Sequence, residues 1–370
     1  MSVAFIDTEI ALHGKMVLDI GAIRDEGRQY HDPSIEGFMR FIKGSKYICG
    51  HNILGHDLKY IDTIITEAGI DEMHIIDTLL LSPLLFPKNP YHALVKDDKL
   101  QTGELNNPLS DAKKARDLFY DEVDAFKRLD ANLQQIYYGL LAGTKEFVGF
   151  FKYLGFSSGQ AADPVVISSH IKKMFTGKIC SGADLAQMIA SFPVALAYCL
   201  ALIHVQDRYS ITPPWVLKNY PEVNRVMHLL RSKPCITSCA YCDHTWDIHK
   251  GLKRLFGYES FRSYDGKPLQ QTAVKAAVDN KSLLAVFPTG GGKSITFQLP
   301  ALMGGEAVKG LTVVISPLQS LMKDQLDNLE QHNITDGVMI NGLLDPIARA
   351  KSLKRIEDGS ASILYISLNL

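Results

Sequence analysis

The sequence predicts an α/β protein built in successive parts, and three observations predict it. Residues 1–125 alternate short apolar strands with helical stretches. Residues 126–232 lose the strand signal and read as a helical connector. Residues 251–370 return to strand–helix alternation around a run of glycines, the pattern of a parallel sheet covered by helices. A short cysteine- and histidine-rich junction, 233–250, separates the last two parts. A chain of 370 residues exceeds what one core usually organises, which favours this division.

Composition excludes several classes. Formal net charge is −1, so no chain-wide basic field attracts nucleic acid, and any such binding must come from local patches. "MSVAFIDTEI" lacks the basic start and long apolar stretch of a signal peptide. The longest apolar run, "MIASFPVALAYCLALI" (188–203), is short for a membrane span, contains Pro193 and reads as a buried helix. Cys49, Cys180 and Cys199 are scattered and read as small buried hydrophobes. Nothing suggests a disulfide framework, so a cytoplasmic protein (nucleoid-associated if bacterial) with no membrane partner is expected.

In the first part, "SVAFIDTEI" reads as a strand, "MVLDIGAIRD" as its hairpin partner and "YICGHNI" as a third strand. "HDLKYIDTIITEAGI" places Leu58, Ile61, Ile64 and Ile65 on one helical face. In the last part, "LLAVF", "LTVVIS" and "ASILYIS" read as strands, with "KSITFQLPAL" and "PLQSLMKDQLDNLEQ" as helices.

The predicted strand "LLAVF" delivers the chain to Pro288-Thr289-Gly290-Gly291-Gly292, and Lys293-Ser294 opens a helix. Glycines let successive N–H groups converge, and the helix N-terminus adds positive potential, which suits a triphosphate. Lys293 would reach the β- and γ-phosphates, and the Ser294 hydroxyl would ligate Mg²⁺. The usual motif opens with a glycine where this chain has Phe287. "FGYESFR", "LQQTAV", "PTGGGKSITFQLPAL" and "VVISPLQSLMKDQLDNL" together resemble the first RecA-like lobe of RecQ-family DNA helicases, over about residues 254–370. The resemblance implies ATP-driven 3′-to-5′ DNA unwinding. It implies that Tyr258 and Arg262 flank the adenine and that Gln270 reads its edge. Ser316, Pro317, Leu318, Lys323 and Gln325 would lie near a single strand. "SYDGKPL" makes the Arg262–Gln270 spacing longer than the family's and is expected to be a small surface insertion. The chain reaches "ILYISLNL", where the family reads "YISPE", without the acidic motif that follows there. The resemblance therefore implies a piece of a longer protein, able to bind ATP but not to unwind DNA by itself.

Asp7 and Glu9, two apart on a strand, share one face. Paired carboxylates among apolar neighbours are costly unless a cation joins them; a solvated strand edge is the alternative. Asp57 and Asp111 each sit near the start of a helix. Asp-x-Glu on a strand, "HN" with Asp57 following, and a last Asp before Ala resemble the DEDD family of 3′-to-5′ exonucleases, which has a ribonuclease-H-like fold. That implies two Mg²⁺ (or Mn²⁺) ions held by Asp7, Glu9, Asp57 and Asp111. The family's general base, a His or Tyr, is replaced by Asn106 or Asn107, and an amide takes no proton at neutral pH. His92 is the nearest substitute base, and binding without cutting is a further option. Asp77 reads as support for a strand–helix junction.

Cys235, Cys239 and Cys242, with His249 or alternatively His244, offer four ligands for a structural Zn²⁺; free thiols or an iron–sulfur cluster are the alternatives. Lys250, Lys253 and Arg254 form either a phosphate patch or a solvated helix face. A nuclease-like domain ahead of a RecQ-like lobe resembles the layout of Werner-type proteins, which implies ATP, single-stranded and 3′-ended DNA as partners, in repair or recombination. The rival is a non-catalytic nucleic-acid-binding adaptor.

Overall fold

The computed structural model describes residues 2–11, 16–89, 92, 94, 107–156, 163–205, 212–232, 235, 239–288 and 290–367. They form two compact units, residues 1–174 with 186–201, and residues 175–185 with 202–370.

The first unit is built on five strands: β1 (Val3–Ile10), β2 (Val17–Arg24), β3 (Gln29–His31), β4 (Tyr47–Gly50) and β5 (Ile75–Asp77). Their order is β3-β2-β1-β4-β5. β1–β2 and β2–β3 are antiparallel, and β1–β4 and β4–β5 are parallel. β3 and β5, three residues each, were too short to carry an alternation signal.

Alternation along β1 sends its residues to two faces. Ala4 and Ile6 pack with Ile61, Ile64 and Phe38, from helices α1 (Ile35–Ile42) and α2 (Leu58–Glu67). Phe5 faces the other way, 5.6 Å from Phe119 on the long helix α4 (Pro108–Arg128), which follows α3 (Thr78–Leu85). The boundary expected near residue 125 falls inside α4. Its Phe126 packs edge-on against Phe150 and Phe151, so the next helices, α5 (Ala131–Leu141) and α6 (Val148–Tyr153), continue the same core.

After α7 (Pro164–Met174), the long apolar run forms α8 (Leu185–Ser191) and α9 (Pro193–Val205), divided before Pro193, as a ring lacking an N–H requires. Among the described residues no helix is long and apolar enough to cross a membrane.

In the second unit, α10 (Pro214–Asn219), α11 (Glu222–Arg231), α12 (Ala240–Thr245), α13 (Ile248–Phe256) and α14 (Leu269–Val278) precede a parallel sheet. Its strands β6 (Thr312–Ile315), β7 (Gly337–Ile340) and β8 (Ile363–Ile366) are ordered β6-β8-β7. Helix α15 (Ile295–Val308) leads into β6, and α16 (Gln319–Gln331) and α17 (Pro346–Glu357) connect the strands. The core joins Leu252, Val274, Leu299, Met303, Met322 and Tyr365. β7 and α17 were not anticipated from the sequence.

"LLAVF" is not a strand. Residues 281–288 carry no ladder bonds, and Leu284 and Val286 are 91% and 79% exposed. An apolar alternation becomes a strand only where a neighbour takes its backbone groups, and among the described residues none does.

Candidate functional site

The glycine loop lies at the start of α15. Gly290 and Gly292 adopt φ of 73° and 63°, a region open to glycine at little cost, and Gly291 N–H donates to Pro288 O at 3.0 Å. Ser294 is the N-cap of α15, and Lys293 is exposed beside it. Thr289 lies outside the described residues.

Two predicted residues hold this loop. Buried Gln270 donates from Nε2 to Gly292 O at 2.8 Å and accepts the Arg262 N–H on Oε1 at 2.9 Å. Arg262 Nη1 donates to Gly290 O at 3.0 Å. Tyr258, Arg262, Gln270, Gly292 and Ser294 line one cavity of about 430 Å³. Tyr258 is nearly half exposed there, and its ring meets His332 edge-on at 5.6 Å.

The longer spacing forms an exposed surface turn, as expected, from which Tyr264 alone is partly buried. Asp265 and Gly266 turn the chain with positive φ, and Tyr264 bridges back to Lys267. That turn points Tyr264 inward, where its hydroxyl donates to Gly291 O and its ring packs on Phe287 at 5.4 Å. Tyr264, Asn328 and His332 are site residues that the sequence did not reveal; the Asp-Gly pair was the one turn signal that could have found the first.

A second cleft, about 530 Å³, runs from the glycine loop past Ser316, Pro317 and Gln325. Leu318 is 60% exposed, and Lys323 is exposed on α16. Gln325 Oε1 accepts from Gln298, which also donates to the Tyr365 hydroxyl. These groups can hydrogen-bond a ligand beside the loop. Lys250, Lys253 and Arg254 pair with Asp247, Glu259 and Glu306, as a solvated face would.

In the first unit the four acids are carried by β1, the start of α2 and α4. Asp7 and Glu9 share the parity of Phe5 and so the α4 face. Gly21, opposite Asp7 in the ladder, admits the α4 backbone: a Cβ there would fall 2.0 Å from Leu109 N. That contact brings the first turn of α4, with Asp111, over the same face. Asp111 pairs with Lys114 at 3.8 Å.

Asp57, at the start of α2, engages β1 differently. Its Oδ1 accepts the Thr8 N–H at 2.9 Å and the Thr8 hydroxyl at 2.6 Å. Burial raises its carboxyl above the usual range, and the Thr8 bonds oppose that rise. Among the described residues, only cysteines bring three or more ligand atoms within 4.8 Å of one another. The carboxylates do not form so tight a set, as expected of like charges.

Asn107 caps α4 through its side chain, accepting Ser110 N–H at 3.1 Å; Asn106 lies outside the described residues. His92 is buried beside His51. Burial lowers both imidazoles to about 4, with His92 adding to the effect on His51. Asp77 is the expected junction support: it caps α3 and takes the Asn52 and Leu54 N–H groups, while burial lifts it to about 6. Glu122 on α4 is fully buried with neither oxygen hydrogen-bonded, and burial, then Asp77, raise its carboxyl well above normal.

The cysteine cluster differs from its expected form. Cys235, Cys239 and Cys242 are joined by Cys180. His249, expected as the fourth ligand, lies edge-on to Phe261 at 5.2 Å, and its backbone N–H bonds the Asp247 cap of α13. Burial pushes the Cys239 thiol up, but N–H groups of Ser181 and Cys242 outweigh it and bring it down to about 6.

Comparison with known proteins bears on the second unit. A family model for the DEAD/DEAH box helicases matches residues 267–368. The chain is 37% identical over 120 residues to an ATP-dependent DNA helicase RecQ of Synechocystis, covering 32% of this chain and 23% of that protein. Over 117 residues it is 40% identical to the RecQ helicase of Bacillus subtilis, covering 31% of this chain and 18% of that one. The RecQ helicase of Haemophilus influenzae is 38% identical over 116 residues, 31% of this chain and 17% of its own. The chain thus spans less than a quarter of the length of these relatives. The second unit contains a helicase-like parallel-sheet lobe.

Proposed function

We propose that the second unit binds ATP as part of the first lobe of a RecQ-type helicase, and that the whole protein couples ATP hydrolysis to 3′-to-5′ unwinding of DNA. One observation carries this: Gln270 joins the Arg262 backbone to Gly292, so the residues for the base and the loop for the phosphates border one cavity. Lys293 supplies positive charge to the phosphates, and Ser294 would hold Mg²⁺, which neutralises charge on them. The second cleft, lined by Ser316, Pro317 and Gln325, together with the exposed Leu318 and Lys323, is where a single strand would lie. The test is equilibrium binding of ATP and GTP to the purified chain. ATP should bind more tightly, and Lys293→Ala should weaken it about 10–100-fold, the cost of losing a charged hydrogen bond. Equal affinity for the two nucleotides would sink the adenine assignment.

For the first unit the reading is a ribonuclease-H-like domain of the DEDD type, cutting 3′ ends with Mg²⁺ or Mn²⁺. Three antiparallel strands extended by two parallel ones, with Asp7, Glu9 and Asp111 on one face, support it. The all-oxygen donor set suits a hard divalent ion. When bound, such ions activate water and steady the leaving oxygen. Asp7, Glu9, Asp57 and Asp111 would hold the metals, with Asp57 fixed beside β1 by the Thr8 bonds to its Oδ1. Metal-dependent digestion of 3′-ended single strands, abolished in Asp7→Ala, is the expected result.

The adaptor reading is favoured by Asn107, which caps a helix where a general base would stand; such a base contributes roughly 10²–10⁴-fold. No digestion with either metal, alongside retained DNA binding, would select it. On both readings the protein works on DNA in the cytoplasm, and a Zn²⁺ at the cysteines contributes folding energy rather than chemistry.

A further inference from the structure

The cysteines allow a more specific statement, which rests on reading them as zinc ligands. The Sγ atoms of Cys180, Cys235, Cys239 and Cys242 all lie within 4.8 Å of one another, and none is in a disulfide. Two distant stretches deliver them. Cys180 lies in the 175–185 segment that belongs to the second unit, and its N–H donates to Leu230 O at 2.9 Å. Ala183 N–H closes a turn onto Cys180 O at 3.1 Å, so the thiol is presented from a tight bend.

Cys239 and Cys242 flank the start of α12, and the Cys235 N–H donates to Cys242 Sγ at 3.4 Å, the kind of bond that steadies a ligating sulfur. Tyr241 and Trp246 pack against the cluster and shield it from water.

We infer that Cys180 is the fourth ligand of a single tetrahedral Zn²⁺, a tetrathiolate that staples residues 175–185 to α12. Size decides the nuclearity. With Zn–S near 2.3 Å, a tetrahedron places its sulfurs roughly 3.8 Å apart, which fits inside the observed spread. A four-iron cluster inserts its own iron–sulfide cage and holds the thiolates farther apart. Chemistry decides the ligand. The His249 ring lies edge-on to Phe261, whereas Cys180 already belongs to the group. Clusters of this kind are usually drawn from neighbouring residues. Here the metal closes a long loop, so its removal should free the 175–185 segment.

The experiment uses the full chain with Zn²⁺ and Co²⁺ as probes. One Zn²⁺ per chain is expected, and the Co²⁺ form should show the visible bands of four thiolates. Cys180→Ser should weaken Zn²⁺ binding by more than the ~10–100-fold typical of outer-shell changes, while His249→Ala leaves it unaltered. Chelation should open residues 175–185 to protease, a readout that needs no variant. A Co²⁺ spectrum of three thiolates and one nitrogen would overturn the assignment. So would stoichiometric iron and sulfide, or a disulfide between any two of the four. Failure to bind any metal would instead overturn the zinc reading beneath it.

Discussion

The two units hold their candidate sites in opposite states of preparation. In the second, the residues around the glycine loop are already hydrogen-bonded to it: Gln270, Arg262 and Tyr264 together take the carbonyl groups of Gly290, Gly291 and Gly292. With those carbonyls engaged on one side, the loop's shape is set before a ligand arrives. In the first, acidic groups are buried at a cost: Asp57, Asp77 and Glu122 all have carboxyls raised by burial. A framework of N–H and O–H donors on carbonyl acceptors can be completed in the folded chain alone. A set of carboxylates is completed only by a cation or a proton.

That contrast can be tested by substitution. The largest effect is expected from Gln270→Ala, which removes both the bond to Gly292 and the one from Arg262. ATP affinity should fall about 10–100-fold, at roughly 1–3 kcal/mol for buried groups left unpaired, as titration calorimetry would show. If the variant keeps its affinity, the loop is not held by this bridge.

Next comes the pH dependence of the first unit. A carboxyl whose folded pKa lies above its unfolded value binds more protons when folded. Stability is then greatest at low pH and is lost as pH rises from the unfolded pKa through the folded one. For Asp77 that window runs from about 4 to about 6. The thermal midpoint of the first unit should therefore fall as pH rises across it. Glu122 acts in the same direction. Glu122→Gln, near-isosteric and uncharged, should flatten the slope. A midpoint that instead climbs with pH would show that these acids are paired rather than strained.

The smallest effect is expected from Tyr264→Phe. It keeps the ring on Phe287 and removes only the bond to Gly291. A loss of about 0.5–1.5 kcal/mol in nucleotide binding, with unchanged thermal stability, would assign the hydroxyl to the loop. An equal loss of stability would make it a core contact instead.

Much of this was legible residue by residue. β1, its hairpin partner β2 and helix α2 follow from apolar spacing, and the Gly-Gly-Gly-Lys-Ser stretch announced a phosphate-shaped turn. Asp77 as a cap was also legible, because capping reaches only two or three residues along the chain. Other features were not. "LLAVF" has the composition of a strand, but without a neighbour it forms no ladder, and all of it but Phe287 is exposed. The bonds from Thr8 to Asp57 Oδ1, far away in sequence, were likewise not legible.

What the sequence determined by itself, then, is whatever depends on short range: the period of each helix and strand, the glycine turn, the caps and the trio of close cysteines. Tertiary structure alone decided that Cys180 joins that trio while His249 faces Phe261, that Tyr264 turns inward, and that Asp57 takes the Thr8 N–H and hydroxyl. The reason is physical. Local patterns are set by backbone geometry that repeats every few residues, whereas the partner of a sulfur, a hydroxyl or a carboxylate is chosen by which distant segments pack together, and no spacing along the chain encodes that choice.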